Sequence, residues 1–249
     1  LIIKEKYFFL HAPRQTGKTS SLLALMEYLN QEGTYRALYA NIENAQAARE
    51  DVGQGIEAVV HSIANQARLR LNDGHVDSLA QKILDEKPGL VALEQFLCSW
   101  CEQSKRPTVL MLDEVDALVG DTLISLLRQL RSGYPARPTQ FPQSVILCGV
   151  RDIKDYRIHS SREKAIITGG SAFNIKAKSL RLDDFTEPEV ITLLNEHTKE
   201  TGQAFEPEAS ILIWKLTNGQ PWLVNALAYE VCFELSEGKD RGRIITTDM

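Results

Sequence analysis

The sequence predicts an α/β chain, a parallel sheet flanked by helices and followed by a small all-helical domain. Up to about residue 181, short apolar runs ending in polar or charged residues alternate with segments of helical period, the pattern of a sheet wound with helices. From Leu182 onward the strand-like runs stop, and apolar residues recur only at helical spacing between Pro, Thr and Gly punctuation. With 249 residues, 43% of them hydrophobic, the chain can bury a large core and divide into one or two domains. The expected boundaries are 1–181 and 182–249, with a helical insertion around 46–104.

Tyr7 to Leu10 reads as a buried strand. Gly17 to Leu29 reads as a helix, with Leu22, Leu23, Leu25, Met26 and Leu29 directed inward. Glu32-Gly33 breaks the chain before a second strand, Arg36 to Ile42, which completes a βαβ unit and makes the sheet parallel. Residues 46 to 104 read as helical, with Ile56, Val59, Val60, Ile63 and Ala67 on one face and breaks at Asn72-Asp73-Gly74 and Pro88-Gly89. Pro107 ends this stretch, and Val109 to Leu112 form a buried strand ending in Asp113-Glu114. A helix from about Leu118 to Arg131 leads through a Gly/Pro loop to a strand at Ser144 to Val150, and a further strand lies between Phe173 and Leu182. In the C-terminal part, Thr186-Glu-Pro-Glu189 is a capping box opening a helix with Val190, Ile191, Leu193 and Leu194. Pro207 opens a second helix carrying Ile211, Leu212, Trp214 and Leu216. Pro221 opens a third, with Leu223, Val224, Leu227 and Tyr229. Trp214 and Trp222 are expected in the core of this domain, with Trp222 also placed to edge a ligand pocket beside Pro221.

The turn after the first strand reads Ala12-Pro13-Arg14-Gln15-Thr16-Gly17-Lys18-Thr19, followed by Ser20. It fits the phosphate-binding loop G-x-x-x-x-G-K-[ST] except at its first position, where Ala replaces Gly. Such a loop wraps an anion in backbone N–H groups at a helix N-terminus, with a lysine for the outer phosphates and a hydroxyl for a divalent cation. Ala12 matters only if that position needs positive φ, which costs a residue bearing a Cβ about 1 kcal/mol or more. Asp113 and Glu114 end a buried strand, where carboxylates are costly without a cation or polar partner. They read as a metal-holding acid, Asp113, followed by a general base, Glu114.

With these motifs the sequence resembles the P-loop NTPases, and within them the additional-strand catalytic-glutamate division that contains AAA+ proteins. Ala12 to Thr19 stands for Walker A and Val109 to Glu114 for Walker B. The resemblance implies ATP and Mg²⁺ as cofactors and a further strand between the two Walker strands. In more detail the chain is similar to the STAND and archaeal-type ATPases, which resemble AAA+ proteins with a helical extension. Arg151, after the Ser144 to Val150 strand, matches the sensor arginine of that group near the γ-phosphate, and Gly219-Gln-Pro221 matches its G-x-P motif near the adenine. The resemblance therefore implies catalytic roles for Glu114, Lys18 and Arg151. It implies metal contacts from Thr19 and Asp113, and nucleotide contacts from Ala12 through Ser20 and from Pro221. Three activities are open on this reading: an Mg²⁺-dependent ATPase with a helical lid coupling hydrolysis to conformational change, a nucleotide-gated interaction switch with little turnover, and a DNA-associated loader. The expected partners are ATP or ADP, together with a protein partner or further copies of the chain.

Other residues leave two readings each. Arg128, Arg131 and Arg137 offer an arginine finger or a nucleic-acid contact, or else a solvated helix end that favours cations, and Arg157 and Arg162 share the ambiguity. Cys98 and Cys101 suggest redox or metal chemistry, yet Cys148 and Cys232 are distant in the sequence and no second Cys or His pair completes a tetrahedral set, so small apolar residues are expected. His11, just before the loop, offers a nucleotide contact or, the favoured reading, a packed or partly exposed histidine. A formal charge of −5 does not indicate a nucleic-acid partner gripped over the whole surface. No apolar run reaches the roughly 18 residues a membrane helix needs, and no leader pattern is present, so a cytoplasmic protein without a membrane partner is expected.

Overall fold

The structure, a computed structural model, describes residues 1–152, 155, 157–160, 165–168 and 174–249. By contacts the chain divides into two compact units. One comprises Leu1–Pro13 and Lys18–Arg181, the other Leu182–Met249 together with Arg14–Gly17.

The first unit is built on β1 (Tyr7–His11), β2 (Arg36–Asn41), β3 (Thr108–Asp113) and β4 (Ser144–Gly149). β5 (Arg157–Ser160) and β6 (Ala165–Thr168) pair with each other, antiparallel, while β7 (Lys176–Arg181) joins the main sheet. That sheet runs β2-β3-β4-β1-β7 with all strands parallel, so β4 lies between the strands that precede the glycine loop and the Asp-Glu pair. The sequence resemblance implied this inserted strand. The β5–β6 hairpin had no expectation behind it. Its strands are only four residues long, which is too short for either period to register.

Every residue of β3 and β4 is buried, as expected of central parallel strands covered on both faces. One face is covered by the inserted helices α2 (Val52–Leu71), α3 (Val76–Glu86) and α4 (Gly89–Glu102) and by α5 (Gly120–Ser132). The breaks between them fall at Asn72-Asp73-Gly74 and Pro88, as the turn residues predict. Asp51 caps α2 by accepting from Gln54 N at 3.0 Å, and Asn72 ends it in the left-handed region. Ile56, Val59, Val60, Ile63 and Ala67 are all buried, each large aliphatic side chain contributing about 1.5–3 kcal/mol. Trp100 fastens the insertion to the sheet: its indole N–H donates to Asp73 at 2.9 Å, and the Arg36 guanidinium of β2 lies 4.1 Å over its ring. The remaining helix of this unit, Lys18–Glu32 (α1), buries Leu22, Met26 and Leu29, while Leu23 and Leu25 are half-buried.

The second unit holds α6 (Glu187–Thr201), α7 (Pro207–Thr217) and α8 (Pro221–Tyr229), followed by a π turn at Glu230–Glu234. The Thr186 N–H donates to Glu189 at 2.8 Å, the capping box read from the sequence. Its small core is Val190, Leu194, Ile213 and Val224. The helix faces differ from expectation. α7 buries Ala209 and Ile213 and leaves Leu216 exposed, and α8 buries Pro221 and Val224 while Trp222, Leu223 and Tyr229 point outward. Steps of about 100° per residue put 222 and 223 on the flank opposite the 221/224 stripe, so Trp222 is not a core residue. Among the described residues no helix is long and apolar enough to cross a membrane.

Candidate functional site

Because β1, β3 and β4 are parallel neighbours with His11 opposite Gly149 and Leu112 opposite Leu147, their carboxyl ends lie at one edge of the sheet. The residues that follow them within this unit, Ala12, Pro13, Lys18 and Thr19, Asp113–Asp116 and Val150–Arg151, lie at that edge, where open α/β sheets bind ligands.

Ala12 is buried, its N–H donates to Gly149 O at 3.3 Å, and its φ is not positive. No glycine is required at this position, which removes the one mismatch to the loop pattern. The left-handed residues are Gln15 (φ 60°) and Gly17 (φ 80°), and a Cβ added at Gly17 would meet nothing within 4 Å. Pro13, Arg14, Gln15, Gly17, Thr19 and Ser20 are exposed, whereas Thr16 and Lys18 are buried. α1 starts at Lys18, so the N–H groups of its first turn lack helical partners and face the loop end. Lys18 Nζ donates to the carbonyls of Ala12 at 3.0 Å and Pro13 at 2.8 Å, which holds the ammonium across the loop.

Asp113 is fully buried. Its Oδ2 accepts from Thr19 Oγ1 at 2.7 Å and from the Tyr39 hydroxyl of β2 at 3.1 Å, and its Oδ1 accepts from Glu114 N at 2.9 Å. Tyr39 was not singled out in the sequence. It sits two residues before the end of β2, and only the pairing of Asn41 with Asp113 brings its phenol to that carboxylate. Burial, then the Asp113 carboxylate, pushes the Tyr39 phenol well above its ordinary value, so it stays a donor. The Cys148 thiol is likewise raised by burial and then by Asp113.

Glu114 takes the left-handed conformation (φ 59°, ψ 39°) at the start of a 3-10 turn, a strain of about 1–2 kcal/mol for a residue with a Cβ. Burial, then the Asp113 and Asp116 carboxylates, raises its pKa above the ordinary carboxylate value, and Lys18 opposes the shift. Asp116 accepts from Val150 N at 3.2 Å, so the turn carrying Glu114 is tied to the residue before Arg151, which is exposed. Pro221 opens α8 in the second unit. Within that unit the preceding Gln220 caps α8, accepting from Leu223 N at 2.6 Å, and its Nε2 lies 3.4 Å from Gln15 O.

Among the described residues no group of three or more His, Cys, Asp or Glu side chains could hold a metal. Thr19 and Asp113 supply hard oxygens. They suit Mg²⁺, which takes one or two protein ligands and completes its shell with water and phosphate oxygens. The other residues singled out from sequence lie apart or are engaged. His11 is half-buried at the end of β1. Arg137 donates to Glu5 and Tyr134 carbonyls and stacks 3.4 Å over the Tyr134 ring, so it is fixed within the chain and not a solvated helix end. Arg128 is exposed and Arg131 half-buried near the end of α5; Arg157 opens β5, and Arg162 lies outside the described residues. Burial pushes the Cys98 thiol up to about 11 and that of Cys101 to about 12, which keeps both as unreactive thiols.

A family profile described as an AAA-like domain matches residues 6–239. The chain belongs to this family. Among solved structures, the AAA-like domain is similar to the Aeropyrum pernix ORC2 protein in ADPNP-ADP complexes, at 18% identity and TM-score 0.59 over 98% of this chain and 60% of that one. It is similar to Cdc6p from Pyrobaculum aerophilum (17%, TM-score 0.57, 95% and 56%) and to AMPPCP-bound DnaA from Aquifex aeolicus (16%, TM-score 0.53, 95% and 58%). At these identities the likeness is one of fold, that of the AAA+ P-loop ATPases, and the chain spans less than two thirds of each structure's length. No curated protein matches it by sequence.

Proposed function

We propose that this AAA-like domain binds ATP with Mg²⁺ and hydrolyses it, coupling turnover to conformational change, with residues 182–249 as its lid domain. The observation that supports it most is the 2.7 Å bond from Thr19 to Asp113, which joins two motifs 94 residues apart, with Glu114 adjoining. Residues Ala12 through Ser20 cradle the phosphates, and Lys18 turns from its loop carbonyls to the outer phosphate oxygens. Thr19 and Asp113 would hold the cation, which when bound would neutralise charge on the phosphate oxygens. Glu114, its basicity raised by burial and by neighbouring acids, takes a proton from the attacking water as the new P–O bond forms and ADP departs with the electrons of the broken one. Arg151 answers to the γ-phosphate, and Pro221 edges the base.

The test is ATP binding and steady-state hydrolysis by the wild type, Lys18→Ala and Glu114→Gln. On this reading Lys18→Ala abolishes binding, whereas Glu114→Gln binds ATP and turns over about 10²- to 10⁴-fold more slowly. Tight co-purified ADP with negligible turnover would replace the enzyme by a nucleotide-gated switch acting on a protein partner or further copies of the chain. Salt-sensitive DNA binding lost in Arg128→Ala/Arg131→Ala would make it a DNA-associated loader. Absence of nucleotide binding by the wild type would overturn the proposal.

A further inference from the structure

The second unit carries an apolar groove that its own core does not fill. α6, α8 and the π turn enclose a cavity of about 540 Å³, lined by Leu193 and His197 on one wall and by Trp222, Tyr229 and Phe233 on the other. These aromatics are 49%, 56% and 39% exposed. Tyr229 and Phe233 stack at 5.1 Å, and His197 meets Phe233 edge-on at 5.6 Å, so the wall is an ordered surface.

Charge indicates what the groove takes. Residues 182–249 hold 13 Asp and Glu against five Lys and Arg, so this unit is more negative than the whole chain at −5. Glu196 and Glu200 stand on the groove's α6 wall, Glu196 in an exposed ion pair with Lys199 at 2.5 Å and Glu200 beside it. Aromatic faces attract cations, and the chain seats one of its own on this wall, the Arg241 guanidinium lying 4.5 Å over the Phe233 ring. The same field repels nucleic acid, anionic lipid and the matching face of a second copy.

We propose that this groove docks a basic amphipathic helix from a partner protein. Its apolar residues at i, i+3/i+4 and i+7 lie between α6 and α8, and its Lys and Arg side chains meet Glu196, Glu200 and the faces of Trp222 and Tyr229. The proposal is independent of nucleotide chemistry.

Its test uses two fluorescent 18-residue amphipathic helices of identical pattern, one of Leu and Lys and one of Leu and Glu, titrated with the full chain and followed by anisotropy. The Leu/Lys peptide is expected to saturate at micromolar protein and weaken with salt, while the Leu/Glu peptide does not bind. Tyr229→Ala and the Glu196→Gln/Glu200→Gln double variant should each weaken binding about tenfold. Both changes are at exposed positions, and circular dichroism verifies the fold. Binding of the Leu/Lys peptide that neither variant weakens, or no saturation by 100 µM protein, about a hundredfold above the expected midpoint, would overturn the proposal. So would sedimentation showing self-association that Tyr229→Ala abolishes, since the occupant would then be a second copy.

Discussion

Replacing Tyr39 by Phe removes one hydroxyl and leaves the ring to fill the same space beneath the carboxyl end of the sheet. That hydroxyl donates to Asp113 Oδ2 at 3.1 Å, an oxygen already bonded by Thr19 at 2.7 Å, inside a fully buried carboxylate. A hydrogen bond to a charged group contributes about 1.5–3 kcal/mol net. The Tyr39 bond is the longer of two on one oxygen, so the expected loss is about 1.5 kcal/mol, the lower end of that range. Urea denaturation at pH 7 measures it as a lower midpoint with an unchanged slope, because the surface exposed on unfolding is the same. If Asp113 holds Mg²⁺ as proposed, ATP affinity in EDTA should be unaltered while the gain on adding Mg²⁺ shrinks, because the carboxylate has lost one of the groups that orient it. A loss below about 0.3 kcal/mol would refute the role given to this hydroxyl, since even a weak net hydrogen bond contributes more. A change in EDTA affinity equal to that in Mg²⁺ would refute its confinement to the metal side of the site.

Gly219→Ala should destabilise the second unit severely, seen as an early transition in thermal unfolding. The added Cβ would stand 1.9 Å from the Phe185 carbonyl oxygen at a φ of 75°, whereas Gly17→Ala meets open space and should cost only about 1 kcal/mol. If Glu114 is the general base as proposed, the acid limb of the hydrolysis rate should fall above the ordinary carboxylate range, because that base must be ionised, and Glu114→Gln should erase it. Stability gives the same group a second readout. The fold raises the Glu114 pKa and so binds its proton more tightly than the unfolded chain. Relative to Glu114→Gln, the wild type should therefore lose stability as pH rises from the ordinary carboxylate value through the raised one.

The legible parts of the fold are those in which one residue type carries one local instruction. Pro107, the Asn72-Asp73-Gly74 break and the Thr186/Glu189 box each act within a few residues, and the elements end or begin there. Central strands were equally plain, since burial on both faces leaves an unbroken apolar run. The helix faces of α7 and α8 were not, because most residues of these two helices are apolar. With Ile211, Leu212, Ile213 and Trp214 in succession and Leu216 after Lys215, period alone cannot choose the buried stripe, and neighbouring helices decide it. The surplus that packing leaves outside, Trp222 and Tyr229 above all, is the material of the groove.

At the candidate site, sequence displays residues whose chemistry depends on their neighbours along the chain and hides those that depend on neighbours across the sheet. Lys18, Thr19, Asp113 and Glu114 belong to contiguous motifs. Tyr39 lies in a run that reads only as strand, and it reaches Asp113 because β2 pairs with β3 in one particular register. A shift by one residue would turn its phenol to the opposite face. Ala12 makes the converse case. Its departure from the loop pattern looks consequential in sequence, yet the left-handed turn falls at Gln15 and Gly17, and position 12 follows β1 without a positive φ, its N–H donating to Gly149 O. What a motif's first glycine supplies is backbone freedom, and a loop that makes its sharp turns elsewhere has no use for it at that position.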